Sequence, residues 1–438
     1  MPLHNLPIEL LQSIFDLCPD AQPALCRVSK RVNALCLPMM YRDVCITKVV
    51  DLVKLCKTLS ANTFAALTMR RLIIHSLDFE SLPLQAFEDI VSAGLQAAKN
   101  LIALDIDDSV NLDNCLRECT FPRLESFCIV HMPSPDSNPI IYDFLTRHRS
   151  LKNISIKRSI DAWPESYDDL PAKRISLPKL ATYSGSDAWL DVLLPNRRIC
   201  EVGILSWDRY DPRNSIEVRH ICDLLSSSEG PIYAFGTFSN DWNYPLLRDL
   251  AEALPDVREF SFIKYAQDAF ELDESETELE YKSFLSALEM NILPRWPNLR
   301  SIHLRDVQPG ADIDWESTES MVHEVAQLCD WTRVCPNLKI CSFRSRRLWA
   351  RPNPSPEYDN AIWCPYYPEG DLDVLWTVLA IITSQHPRRK GRKLHPVLQR
   401  TVHSICAAVP KCENWVDIEL LREEVYKRCP DFEEPSFD

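Results

Sequence analysis

The chain has 438 residues, of which 46% are hydrophobic and 25% charged. That balance excludes a chain disordered throughout, and the length exceeds one ordinary core, so two or three domains or a repeat array are expected. A net charge of −15 favours solubility and repels nucleic acid, so no nucleic-acid partner is expected.

Glycine is scarce, with eight residues in the whole sequence, at positions 94, 185, 203, 230, 236, 310, 370 and 391. No two are close enough to frame G-x-G-x-x-G, G-x-x-x-x-G-K-[ST] or G-x-S-x-G. The dinucleotide, P-loop and nucleophile-elbow chemistries that use those turns are therefore not expected. Residues 1–11 carry His4 and Glu9 and lack a long apolar core, so they do not read as a signal peptide. The longest uncharged apolar run, 374–382, contains Thr377 and falls short of the roughly 20 residues that span a bilayer. The expectation is a soluble protein without a membrane partner. Seventeen cysteines are present and none has C-x-x-C spacing, so buried thiols are expected and no metal site or other cofactor.

In chain order, Leu6-Pro7-Ile8-Glu9-Leu10-Leu11-Gln12-Ser13-Ile14-Phe15 predicts a short amphipathic helix. Pro7 suits its first turn, Glu9 complements the positive end of the helix dipole, and Leu6, Leu10, Leu11, Ile14 and Phe15 share a face. Pro19 and Pro23 break the chain. A second helix is predicted over 24–35, with Leu25, Val28, Val32 and Leu35 on one side and Arg27, Lys30 and Arg31 on the other. Leu37-Pro38-Met39-Met40-Tyr41-Arg42-Asp43-Val44 predicts a proline-initiated helical turn with an extended exit.

These three pieces, in this order and spacing, resemble an F-box of the type common in fungi. The resemblance implies that Leu6, Pro7, Leu10, Ile14, Leu25 and Val28 face the Skp-type adaptor of a cullin–RING ubiquitin ligase. Many F-boxes carry a tryptophan late in the second helix, where this chain has Val32 and Asn33. The reading places an F-box-like helical domain at 1–46.

Residues 47–66 read as a linker helix with Val49, Val50, Leu52, Val53, Cys56 and Leu59 as its apolar positions. A degenerate phrase then recurs, L-x-x-φ-x-φ with φ apolar, which has the period of a strand with one face in and one face out. Examples are Pro122-Arg123-Leu124-Glu125-Ser126-Phe127-Cys128-Ile129, Pro297-Asn298-Leu299-Arg300-Ser301-Ile302-His303-Leu304 and Pro336-Asn337-Leu338-Lys339-Ile340-Cys341-Ser342-Phe343. Taking Leu72 as the first lead, the leads at 72, 101, 124, 151 and 180 are spaced within the roughly 20–29 residues of leucine-rich repeats, which the pattern resembles. Copies between 180 and 257 are hard to discern. Helical stretches at 140–147 and 246–253 lie between copies.

The fold expected is mixed α/β: the three-helix F-box-like unit, an irregular leucine-rich-repeat solenoid over 67–346, a proline-rich loop at 347–370, and a helical cap with an acidic tail at 371–438. In that geometry the residues between the apolar strand positions line a concave face. Arg71, Asp105, Asp107, Lys157, Glu259, His303, Arg305 and Arg344 are the candidate client contacts, acidic early and basic late. Two charge runs stand apart. Residues 271–280 hold six acids and read as a solvated loop, and the basic run 388–393 resembles a nuclear import signal.

No catalytic constellation stands out; His323-Glu324 lacks the second histidine of H-E-x-x-H. The expected function is therefore non-catalytic: a substrate receptor joined through a Skp-type adaptor to a cullin, holding an unknown protein client in the cytoplasm, the nucleus or both. The alternative is a repeat scaffold or receptor whose first helices are only a structural cap, unconnected with ubiquitination. Exposure of Leu6, Pro7 and Leu10 separates the two.

Overall fold

Alternating apolar residues after Arg42 build short parallel strands, each joined to the next through helix or coil. The computed structural model describes residues 6–366 apart from 18–21, 76–84, 108–111, 132–136, 159–173, 208–210, 266–273, 308–317, 345–347 and 352–362. The C-terminal cap and tail expected at 371–438, with the basic run 388–393, lie outside the described residues. The fold is mixed α/β with a mostly parallel sheet, and it divides into two compact units, residues 1–232 and 233–438.

The first unit begins with α1 (Ile8–Leu17), α2 (Gln22–Leu25) and α3 (Lys30–Arg42). The helix expected over 24–35 is not continuous. Ser29 is extended and its Oγ accepts from the Val32 amide at 3.2 Å, which caps a new helix there. That helix runs on through Pro38, despite the lost hydrogen bond and the crowding of its ring against the preceding turn, and so absorbs the separate turn expected at 37–44. Then follow β1 (Asp43–Ile46), α4 (Val49–Ala61), α5 (Thr63–Thr68), β2 (Arg71–His75), α6 (Gln85–Ala97), β3 (Ala103–Asp107), α7 (Asp113–Leu116), β4 (Ser126–His131), α8 (Ser137–Arg147), β5 (Asn153–Arg158), β6 (Thr182–Ser186), α9 (Leu190–Leu193), β7 (Glu201–Ser206) and α10 (Ser215–Ser226).

Strands β1 to β7 pair in sequence order, every pair parallel. Two buried rows cross them. One aligns Leu72, Leu104, Phe127, Ile154, Tyr183 and Val202; the next aligns Ile46, Ile74, Ile106, Ile129 and Ile156. This register corrects the first repeat. Leu72 stands opposite Leu104 rather than Leu101, so the position matching Leu101 is the fully buried Met69.

A backbone stitch recurs at the entry to the strands. The lead residues Leu101, Leu124, Leu151 and Leu180 each donate their amide to the carbonyl three residues back, at 3.1–3.2 Å. The next two amides then share one carbonyl of the preceding chain segment: Ile102 and Ala103 on Arg70, Glu125 and Ser126 on Ile102, Lys152 and Asn153 on Glu125, Ala181 and Thr182 on Lys152. Such pairing gives successive backbone amides a partner at each of these strand entries.

The second unit contains β8 (Ala234–Ser239), α11 (Tyr244–Ala253), β9 (Glu259–Tyr265), α12 (Glu274–Ala287), β10 (Ser301–Val307), α13 (Thr318–Val334), β11 (Ile340–Ser342), β12 (Leu348–Ala350) and β13 (Cys364–Tyr366). Strands β8 to β11 are parallel and β11 to β13 antiparallel. The same stitch reappears: Arg258 and Glu259 on Tyr233, Arg300 and Ser301 on Arg258, Lys339 and Ile340 on Arg300. Its core is aromatic, with Phe235, Phe260, Trp296, Trp331, Trp349 and Trp363 buried. Three of the indoles are anchored: Trp296 donates to the Leu254 carbonyl (2.8 Å), Trp349 to Glu324 Oε2 (2.7 Å) and Trp363 to Thr332 Oγ1 (3.0 Å).

Two expectations change here. The acid-rich run read as a loop supplies, from Glu274 onward, the first turns of α12. The stretch 347–370 contains β12 and β13.

Candidate docking surfaces

The first three helices close a small core of their own. Leu11, Val32 and Cys36 are fully buried, and Leu6, Leu25, Cys26, Leu35 and Met39 pack around them. Of the six predicted adaptor contacts, Leu6, Ile14 and Leu25 are therefore half-buried, Leu6 and Leu25 against this core. Pro7 is exposed, Leu10 is 52% exposed and Val28 54%. Ile8 (42% exposed) and Leu17 (81% exposed) add to the apolar surface. Neither was singled out as a contact in the sequence. Covering the exposed half of one such side chain contributes on the order of 1 kcal/mol, so the group is an energetic reservoir for association.

In the first unit the outward strand face carries three rows in register. Arg71, Ala103, Ser126, Asn153, Thr182 and Glu201 form the first; Ile73, Asp105, Cys128, Ser155, Ser184 and Gly203 the second; His75, Asp107, Val130 and Lys157 the third. The predicted Arg71, Asp105, Asp107 and Lys157 thus share one face, with Arg71 and Lys157 exposed and Asp105 half-buried. Neighbouring polar side chains satisfy one another across strands. Ser184 Oγ donates to Ser155 Oγ at 2.8 Å, and Thr182 Oγ1 to Asn153 Oδ1 at 2.9 Å. Burial, reinforced by Asp105, pushes the Cys128 thiol up to about 11.

In the second unit Glu259, His303 and Arg305 share the outward face of β9 and β10, with Glu259 and Arg305 exposed. His303 is tethered: Nε2 lies 2.7 Å from Ser301 Oγ and Nδ1 3.1 Å from Ser342 Oγ. Burial, and secondarily the Arg305 charge, lowers its pKa. Arg344 does not belong to this face. The strand ends at Ser342, alternation ends with it, and the Arg344 guanidinium turns to Asp306, with Nε 3.6 Å from Oδ2.

Asp306 is the residue the sequence reading passed over. Its register row across β8, β9 and β10 is Ser239, Lys264 and Asp306, all buried. Neither carboxylate oxygen of Asp306 has a hydrogen-bond partner, and burial raises its pKa against the opposing pull of Lys264 and Arg344. Lys264 Nζ reaches Glu280 at 3.5 Å and lies over the Trp242 ring. A readable sign existed, since Phe260-x-Phe262-x-Lys264 and Ile302-x-Leu304-x-Asp306 continue the inward alternation into a charge.

Among the described residues no three His, Cys, Asp or Glu side chains gather as a metal ion requires, and no helix is long and apolar enough to cross a membrane. No protein-family model matches the chain, and no curated protein matches it.

Proposed function

We propose that this chain is the client-recognition subunit of a cullin–RING ubiquitin ligase, working in the cytoplasm or nucleus. Its first helices dock on a Skp-type adaptor and its outward strand faces hold a protein client. The observation that carries the reading is the state of those helices. Their own core is closed by Leu11, Val32 and Cys36, yet Leu10 and Val28 remain half-exposed or more. A cap whose purpose was to cover the neighbouring strands would have spent those side chains on them. The leucine-rich-repeat part of the reading is supported by the sequential strand order within each unit and by the backbone stitch at successive leads. Function is then a matter of proximity. The receptor raises the effective concentration of the client at the catalytic module, and no residue of this chain takes part in bond making.

Co-expression with a Skp-type adaptor tests this directly. Wild type is expected to co-purify with the adaptor. The variant L10D/V28D, altered only at exposed positions, is expected to lose it while keeping the wild-type circular dichroism spectrum. A wild-type chain that runs as a stable monomer beside the adaptor, or a double variant that still holds it, would overturn the assignment.

A further inference from the structure

The leading edge of β2 and β3 meets α3 and α5 in an open groove of about 740 Å³, none of whose lining residues belongs to α1 or α2. That volume is in the range of pockets that take ligands, roughly 300–1,000 Å³. Its walls display three large apolar side chains left in solvent: Phe64 (51% exposed), Leu67 (45%) and Ile102 (38%). Met39 lines it as well and gives it an adaptable surface.

The charge of the groove runs against that of the molecule. Arg42, Arg70 and Arg71 line it against a single acid, Asp43, in a chain of net charge −15. The Arg42–Asp43 pair is long, 3.7 Å, and more than half exposed on both sides, so it leaves the guanidinium open to a better partner. Arg71 is exposed.

The groove is also built before anything binds. Arg70 Nη1 donates to the carbonyls of Leu67 (3.3 Å) and Asn100 (3.1 Å), and Asn100 Nδ2 donates to the Leu67 carbonyl at 2.7 Å. The Arg70 amide bonds the Arg42 carbonyl, and the Arg70 carbonyl takes both Ile102 and Ala103. Helix, turn and strand edge are thereby tied together, so little ordering remains to be done on association.

We infer that this groove takes a linear segment of a partner protein in which aspartate or glutamate stands beside leucine, isoleucine, methionine or phenylalanine. The apolar side chains cover Phe64, Leu67 and Ile102, and the carboxylates pair with Arg42 and Arg71. Arginine suits that role because its planar fork binds carboxylate bidentately. The inference shares Arg71 with the outward strand face proposed to hold the client, goes beyond that reading in naming the groove and the chemistry of the segment it takes, and does not use the exposed face of α1.

Selection of displayed random peptides on the full chain, with counter-selection on L67D/R71E, tests it. Both substituted positions are exposed, so the variant is expected to fold as wild type does. A second variant, R42E/R71E, removes the charge and leaves the apolar wall. Recovered peptides are expected to join acidic with large apolar residues, to bind wild type at least tenfold more tightly than either variant, and to leave adaptor co-purification unchanged. Peptides without acidic residues, equal binding to the variants, or no recovery at all would each overturn the inference. So would loss of the adaptor by R42E/R71E, which would give the groove to the adaptor, or wild-type self-association abolished by that variant, which would give it to a second copy. The L10D/V28D result is read separately, so failure of the groove and failure of the receptor assignment remain distinguishable.

Discussion

His148 sits where two arginines flank it in sequence, yet it is 1% exposed. It occupies the position three residues before a lead leucine, and its ring serves the backbone on both sides. Nε2 accepts from the Phe121 amide at 2.8 Å, and Nδ1, at 2.6 Å from the Phe144 carbonyl, donates to it. Those partners require the neutral ring, and burial lowers its pKa to about 4. The folded value is depressed below the usual value of about 6.5. Between those two values the unfolded chain binds the extra proton, so folding stability falls as pH falls through that window. Replacing His148 by Gln is therefore expected to cost about 1–3 kcal/mol at pH 7, mostly from the unpaired Phe121 amide. The gap between variant and wild type should narrow at pH 5, because only wild type carries the protonation penalty. Urea unfolding of both proteins at the two pH values measures this, and a gap that widened on acidification would refute it. Nothing in a bare string distinguishes this histidine from a solvated one, whereas Asp306 and Lys264 were visible as charges continuing an inward alternation. Arg344 was misplaced for a complementary reason: alternation was extended two residues past the end of β11.

At the scale of elements, periodicity gave most of the answer. The linker helix expected over 47–66 is broken at Asn62, whose Oδ1 accepts from the Ala65 amide, into α4 and α5. The stretches at 140–147 and 246–253 lie within α8 and α11, and the strand phrases at 101, 124, 151, 257, 299 and 338 lead into β3, β4, β5, β9, β10 and β11. The lead at 180 runs into β6, whereas β7 and β8 escaped notice; in β8 two of the three inward positions are Thr237 and Ser239, which blur the apolar rhythm. The scarcity of glycine makes the survivors informative. Gly94 in α6 lies against α4, and a Cβ there would come within 2.5 Å of both Cα and Cβ of Cys56. That is backbone against backbone, which no rotamer change relieves. Gly94→Ala is expected to destabilise the first unit by roughly 1–3 kcal/mol through overpacking, although alanine is the better helix former. Chemical denaturation decides the sign; a stabilised variant would show that α4 and α6 can part freely. Burial, reinforced by Cys115 and Cys119, pushes the Cys56 thiol up to about 12, so it makes no candidate nucleophile.

For the molecule as a whole, two apolar surfaces that differ in charge follow from one sequence. The exposed face of α1 and Val28 is apolar, while the groove beside β2 is apolar and basic within a strongly acidic chain. Of the first, Leu10 and Val28 were named from the sequence, whereas the exposed Ile8 and Leu17 were not. The second was not legible, because Arg42, Phe64, Leu67, Arg71 and Ile102 lie on α3, α5, β2 and the turn before β3, and meet only when strands β2 and β3 pair. Salt separates them. Raising ionic strength from about 0.05 M to about 0.5 M shortens the screening length severalfold, which weakens exposed arginine–carboxylate pairing and leaves or strengthens apolar association. Adaptor binding is therefore expected to survive the change, and binding of an acidic segment in the groove to weaken by an order of magnitude. Titration of both ligands on the same preparation gives the two slopes together. Matching slopes would mean that charge contributes equally to both contacts, against the division of labour that the exposed Leu10 and the exposed Arg71 display. A steep fall for the adaptor alone would place the arginines at the helical surface instead, and with them the wrong partner in the groove.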